Sequence, residues 1–140
     1  MNGVTASTDK KNDVVFSSDR LFQVISYYAS HGLLLLKSRP NKDSDQFVHL
    51  LFQDVRALEI RMWFSGLTVV KQGIDYLDRF ASKPGEMLEP DLQVYELRST
   101  DWQGYILGGI CRAKEYASDT MYNSQLIGEL PPIFLGLQKP

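Results

Sequence analysis

A chain of 140 residues, 44% hydrophobic and 23% charged, has the size and balance of one globular domain, able to bury a core without a disulfide or metal staple. Fifteen basic against seventeen acidic side chains leave a net charge of −2, with no basic block, which argues against nucleic-acid backbones as partners. Its single cysteine, Cys111, excludes an internal disulfide, and its longest aliphatic run, Leu33–Leu36, is far short of the roughly 20 residues that span a bilayer, so a cytoplasmic protein with no membrane contact is expected.

Residues 1–12 are small and polar without a period, and read as a disordered N-terminal segment preceding a single β-rich domain over 13–140. Order is expected to begin at Val14-Val15-Phe16. Leu21–Tyr28 is rich in β-branched and aromatic residues, as a pleated and half-buried strand requires. Ala29-Ser30-His31-Gly32 carries turn chemistry, and Leu33–Ser38 follows as the second arm of a hairpin, its four leucines implying burial on both faces or a place near the sheet centre. Pro40–Asp45 is a polar loop. Phe47–Phe52 reads as a strand with Phe47, His49 and Leu51 on one face and Val48, Leu50 and Phe52 on the other.

Residues 55–64 admit two readings. A two-residue period places Leu58, Ile60, Met62 and Phe64 on one face; a helix would align Val55, Leu58 and Met62 behind Asp54. The strand accounts for more of the charges and is preferred. A tight connection at Phe64-Ser65-Gly66 should separate it from a strand over Leu67–Lys71. Ile74, Leu77 and Ala81 then recur at helical spacing, as do Tyr76 and Phe80, which predicts one short helix near 74–82, ended by Lys83-Pro84-Gly85.

Leu92–Arg98 alternates again, with Leu92, Val94 and Glu96 against Gln93, Tyr95 and Leu97. A turn at Ser99–Gly104 leads to a long strand over Tyr105–Tyr116, where Gly108-Gly109 marks a bulge, a sharp bend or the close approach of another backbone. Leu130–Leu135, with two prolines, reads as an extended tail anchored by Ile133, Phe134 and Leu135. The fold class expected is therefore mainly β: an antiparallel meander of six or seven strands, curled into a barrel-like or two-layer sheet. Such a fold lacks the crevice of a doubly wound nucleotide-binding sheet.

No residue set makes a convincing catalytic constellation. His31 sits at a hairpin tip and His49 on an apolar face; a solvated turn residue and a hydrogen-bonded core residue are the simpler readings. Two histidines without further ligands do not make a zinc site, and Asp43, Asp45 and Asp54 lack calcium-loop spacing, so neither metal nor cofactor is expected. Cys111 has no identifiable base and reads as a buried, inert thiol. Glu59 and Glu96 could form an acid/base pair, but Arg61 and Arg98, two positions on, point to charge pairing between strands.

The aromatic residues are the remaining signal. Trp63 and Trp102 flank expected turns, and Tyr95 and Tyr105 stand in strand patterns; these four are the candidate ligand- or partner-binding residues. The function expected first is a non-catalytic protein-binding module, with a protein partner or a second copy of the chain as its target; toxin-immunity sequestration is one form it could take. The alternative is a small-molecule-binding β-barrel with an aromatic-lined pocket, and a hydrolase-type enzyme is third.

Overall fold

The computed structural model describes residues 13–117. They form one sheet of eight antiparallel strands: β1 (Val14–Tyr28), β2 (Leu33–Ser38), β3 (Phe47–Gln53), β4 (Ala57–Glu59), β5 (Trp63–Gln72), β6 (Gln93–Arg98), β7 (Gln103–Gly108) and β8 (Ile110–Tyr116). Their order across the sheet is β4-β7-β6-β5-β1-β2-β3-β8. Two meanders, β1-β2-β3 and β5-β6-β7, are joined through the long β1, whose N-terminal part pairs with β5 and C-terminal part with β2.

The sheet is not closed into a barrel, yet it folds back on itself. β7 and β8 are separated by Gly109 alone, but β7 pairs with β6 while β8 pairs with β3 at the opposite end of the order. The Gly109 amide donates to the Gln53 carbonyl at 2.8 Å, the Arg56 amide to Leu107 at 2.8 Å, and the Val55 amide to Gly32 at 2.9 Å. These bonds hold the β3–β4 connection against the bend. The paired glycines serve here as a corner where another backbone passes closely, as their sequence context predicts.

Alternation sorts the apolar side chains into three clusters. Phe22, Leu34, Leu36, Leu50, Phe52, Phe64, Val69, Tyr95, Leu97 and Ile106 belong to the main core inside the curl. Phe52 of β3 meets Tyr95 of β6 edge-to-face at 5.5 Å, so strands far apart in the pairing order face each other across it. Leu33, Leu35, Leu51 and Tyr116 cluster on the opposite face of β2, β3 and β8, which realises the two-sided burial expected of the leucine run. Tyr76, Leu77 and Phe80 cover Val94, Tyr105 and Leu107 in the third cluster.

Five local expectations are corrected. The strand count rises from six or seven to eight, because β4 is a separate three-residue strand and the Gly109 corner divides the last one. Val14–Tyr28 is one continuous strand, and not an ordered start at Val14–Phe16 followed by a strand from Leu21; shifts in its pairing with both neighbours let it bend without breaking. Residues 55–64 do not form one strand. The break falls at Ile60–Met62, and β5 starts at Trp63 and runs through Ser65-Gly66. Gly66, at φ 78°, sits opposite the register shift between Ser18 and Leu21, so its positive φ makes an irregularity inside a strand and not a turn. The short helix is a 3-10 segment over Ile74–Arg79, with the Tyr76 amide bonded to Gly73 at 3.1 Å, and a second covers Pro84–Met87. The Pro131-Pro132 tail lies outside the described residues.

Candidate interaction groove

On β1 and β5 the alternation leaves Leu21 and Trp63 exposed on the face opposite the main core. Phe22 and Phe64 pair across the strands and point into the core, 0% and 5% exposed, with their rings 6.1 Å apart. Their sequence neighbours Leu21 and Trp63 point the other way, 51% and 65% exposed, and Met62, in the break before β5, is 64% exposed. Trp63 lies opposite Gln23 of β1, and Gln23 opposite Lys37 of β2, so the three form one row across the sheet.

This row floors a groove of about 570 Å³ lined by Leu21, Gln23, Lys37, Arg39, Pro40, Asn41 and Trp63. The far wall comes from the loop after β2, which Asn41 shapes by accepting the Asp43 and Ser44 amides on its side-chain oxygen at 2.9 Å each. Lys37 is nearly buried, and its ammonium stands 6.0 Å from the centre of the Phe47 ring; Arg39 is exposed. Among the described residues the lining holds two cations, two amides, an indole and no carboxylate.

A second groove, of about 400 Å³, lies nearby, with Val24, Tyr27, Leu34, Val55, Arg56, Ala57, Leu58, Ile60 and Met62 along it. Its one charged side chain, Arg56, is held by Asp54 at 2.8 Å and Glu89 at 3.4 Å, and the Asp54 carboxylate raises the guanidinium pKa. Met62 stands between the two grooves, adjacent in sequence to Trp63 of the first and itself on the wall of the second.

The four aromatic candidates do not come together. Trp63 alone of them opens on either groove. Tyr95 is buried in the main core, its hydroxyl donating to the Gly109 carbonyl at 3.4 Å, and burial pushes its pKa up to about 12. Tyr105 is buried against Phe80, with ring centres 4.7 Å apart. Trp102 packs edge-to-face on Phe64 at 5.0 Å, with the Arg61 guanidinium 5.9 Å from its ring. The sequence reading missed Leu21, Met62, Lys37 and Arg39. The adjacent Met62-Trp63 pair, at odds with alternation, was the available signal.

The other candidates disperse. His49 is fully buried, 4.7 Å from the Tyr116 ring, while His31 is at the β1–β2 turn, its amide bonded to the Tyr28 carbonyl at 3.2 Å. Cys111 packs against the main core, and desolvation pushes its thiol up to about 12. Glu96 is buried and bound by Arg98 at 2.6 Å and Gln72 at 2.7 Å. Glu59 is exposed on β4, with Tyr105 between it and Glu96 in the ladder, and Arg61 pairs with Asp101 at 3.4 Å. Glu96 and Arg98 thus pair along one strand, two residues apart. Among the described residues, no three His, Cys, Asp or Glu side chains converge as metal ligands, and no helix is long and apolar enough to cross a membrane.

The chain matches no protein-family model, no curated protein and no solved structure.

Proposed function

We propose that this chain is a non-catalytic protein-binding module and that the Trp63 groove is its contact surface. The observation that carries the reading is the run of exposed apolar groups Leu21, Met62 and Trp63 beside a groove with Arg39 on its rim. Tryptophan and arginine are the side chains that most often dominate interface energetics, and methionine adapts to irregular partners. An uncovered cluster of this kind marks a contact surface more often than it occurs by chance on a monomer. Sequestration of a partner, as a toxin-immunity protein performs it, is one form of this activity. A cytoplasmic setting suits a chain with one cysteine and no disulfide.

The test is affinity capture with the native chain and with Trp63→Ser. A protein retained in fixed stoichiometry by the first and lost by the second is expected. If light scattering shows a monomer and both forms retain the same set of proteins, the reading fails.

A second reading attaches to the apolar groove along Val24, Tyr27 and Leu58. Its size lies within the range of small-molecule sites, and its lining suits an uncharged apolar ligand. Saturable binding of an uncharged fluorescent apolar probe, abolished by Leu58→Asp and unchanged by Trp63→Ser, would favour it over protein binding.

A further inference from the structure

We infer that residues 118–140, through the apolar run Leu130–Leu135, form the second layer over the outer face of β2, β3 and β8, and that the Trp63 groove opens along the margin of this cover. The inference is independent of the protein-binding reading above.

Leu33, Leu35 and Leu51 lie on that face, away from the main core, and none is more than 1% exposed. His49, two positions from Leu51 on the same face, is fully buried, with the nearly buried Tyr116 ring 4.7 Å from its own. Among the described residues, the cluster draws only on β2, β3 and β8, with Ile25 and Tyr28 of β1 packed at its edge. These strands are neighbours in one sheet. Side chains standing side by side on a single layer keep their tips in water, and only a second layer removes them from it. Burial this complete requires a cover, and the cover comes from outside residues 13–117.

Of the two ends of the chain, only the C-terminal one has the composition and the starting point for it. Residues 1–12 hold little that is apolar besides Met1, Val4 and Ala6, and they lead into Val14, which pairs with Val70 of β5, on the side of β1 away from β2. Residues 118–140 hold Leu126, Ile127, Leu130, Ile133, Phe134 and Leu135, and they follow β8, whose last residue, Tyr116, belongs to the buried cluster. The four strands, about 4.8 Å apart, make a face about 14 Å wide. About five extended residues cross such a distance.

Charge agrees with the assignment. Lys37 is buried at the margin of the face, where an ammonium needs acceptors, and the segment offers the Asp119 and Glu129 carboxylates. Exposure maps the margin itself. Along one cross-strand row, Trp63 is 65% exposed, Lys37 4%, and His49 fully buried. Gln23, between Trp63 and Lys37, is exposed, so the cover ends between Gln23 and Lys37, both on the wall of the groove.

The full chain with a benzoylphenylalanine photo-crosslinker at Tyr28, a half-buried position at the edge of the cluster, tests the placement. Irradiation should join it to a peptide from 118–140 of the same molecule, identified by mass spectrometry. A crosslink to residues 1–12, to a second molecule, or to strand residues alone would overturn the inference.

Thiol labelling gives a second measurement. Leu35→Cys should react about 100-fold more slowly than Leu21→Cys, since a covered site reacts only when it opens, and Ile133→Asp/Phe134→Asp should bring the two rates to within about tenfold. Cys111, packed against the main core, reports whether each variant stays folded. Equal rates for Leu35→Cys and Leu21→Cys in the otherwise native chain would show the face to be open. An unchanged gap in the doubly substituted tail, with Cys111 still protected, would show that another segment covers it. If Cys111 becomes reactive as well, the crosslink at Tyr28 decides.

Discussion

Phe22 and Leu21 are neighbours on β1, and Phe64 and Trp63 are neighbours on β5, yet their fates are opposite. Phe22 and Phe64 disappear into the main core; Leu21 and Trp63 stand in solvent. All four are apolar, so composition does not separate them. The face does: the inner side is covered by β3, β6 and β7 folding over it, while Leu21 and Trp63 on the outer side are more than half exposed. Exposed apolar groups at such a place contribute little to folding, which leaves them available for a partner.

Substitutions on the two faces should therefore part company sharply. Phe22→Ala removes a fully buried ring and should cost about 3–5 kcal/mol in urea unfolding; a loss below 1 kcal/mol would mean the inner face is not the core. Next comes Gly104→Ala. A Cβ at Gly104 would collide with the Glu59 carbonyl oxygen of β4 and lie 2.9 Å from the Trp102 ring, so a loss of about 1–3 kcal/mol is expected, with earlier hydrogen exchange at Ala57–Glu59. A change near zero would show that β4 packs elsewhere.

Titration of the inner groups sharpens the same contrast. Burial raises Tyr95 from 10.0 to about 12 and Cys111 from 9.0 to about 12. The folded state holds these protons more tightly than the unfolded chain, so their stabilisation is complete below about pH 9 and is lost as pH rises towards 12. The melting temperature should fall through that window, and Tyr95→Phe should flatten the upper part of the fall. The smallest effect is on the outer face. Trp63→Ser should change stability by no more than about 0.5 kcal/mol while abolishing partner capture, a separation that a core tryptophan would not give.

Much of the fold is legible along the chain. The alternation in Phe47–Phe52 and Leu92–Arg98, the leucine run of β2 and the glycine corner before β8 all have the roles their patterns imply, because side-chain facing along a strand follows from backbone geometry alone. Reading failed where two local rules competed. Gly66 looks like a turn, but with β1 beside it the positive φ is absorbed in an irregular ladder and β5 continues. Residues 55–64 alternate like a strand, but only Ala57–Glu59 find a neighbour in β7, and the rest of the run pairs differently or not at all until Trp63. Of the candidate site residues, Tyr95 and Tyr105 stand out in the sequence only as aromatic, a property shared by core and interface; only packing distinguishes the two.

What the sequence determined by itself is the strand content and which side chains share a face, since both depend on the period of a few consecutive residues. The tertiary structure decided which faces are covered, bringing β3 over β6 through a single glycine corner and placing Lys37 and Arg39 beside an uncovered Trp63. The physical reason is that alternation is a local property of the pleated backbone. Burial depends on contacts between residues tens of positions apart, and no local period records them.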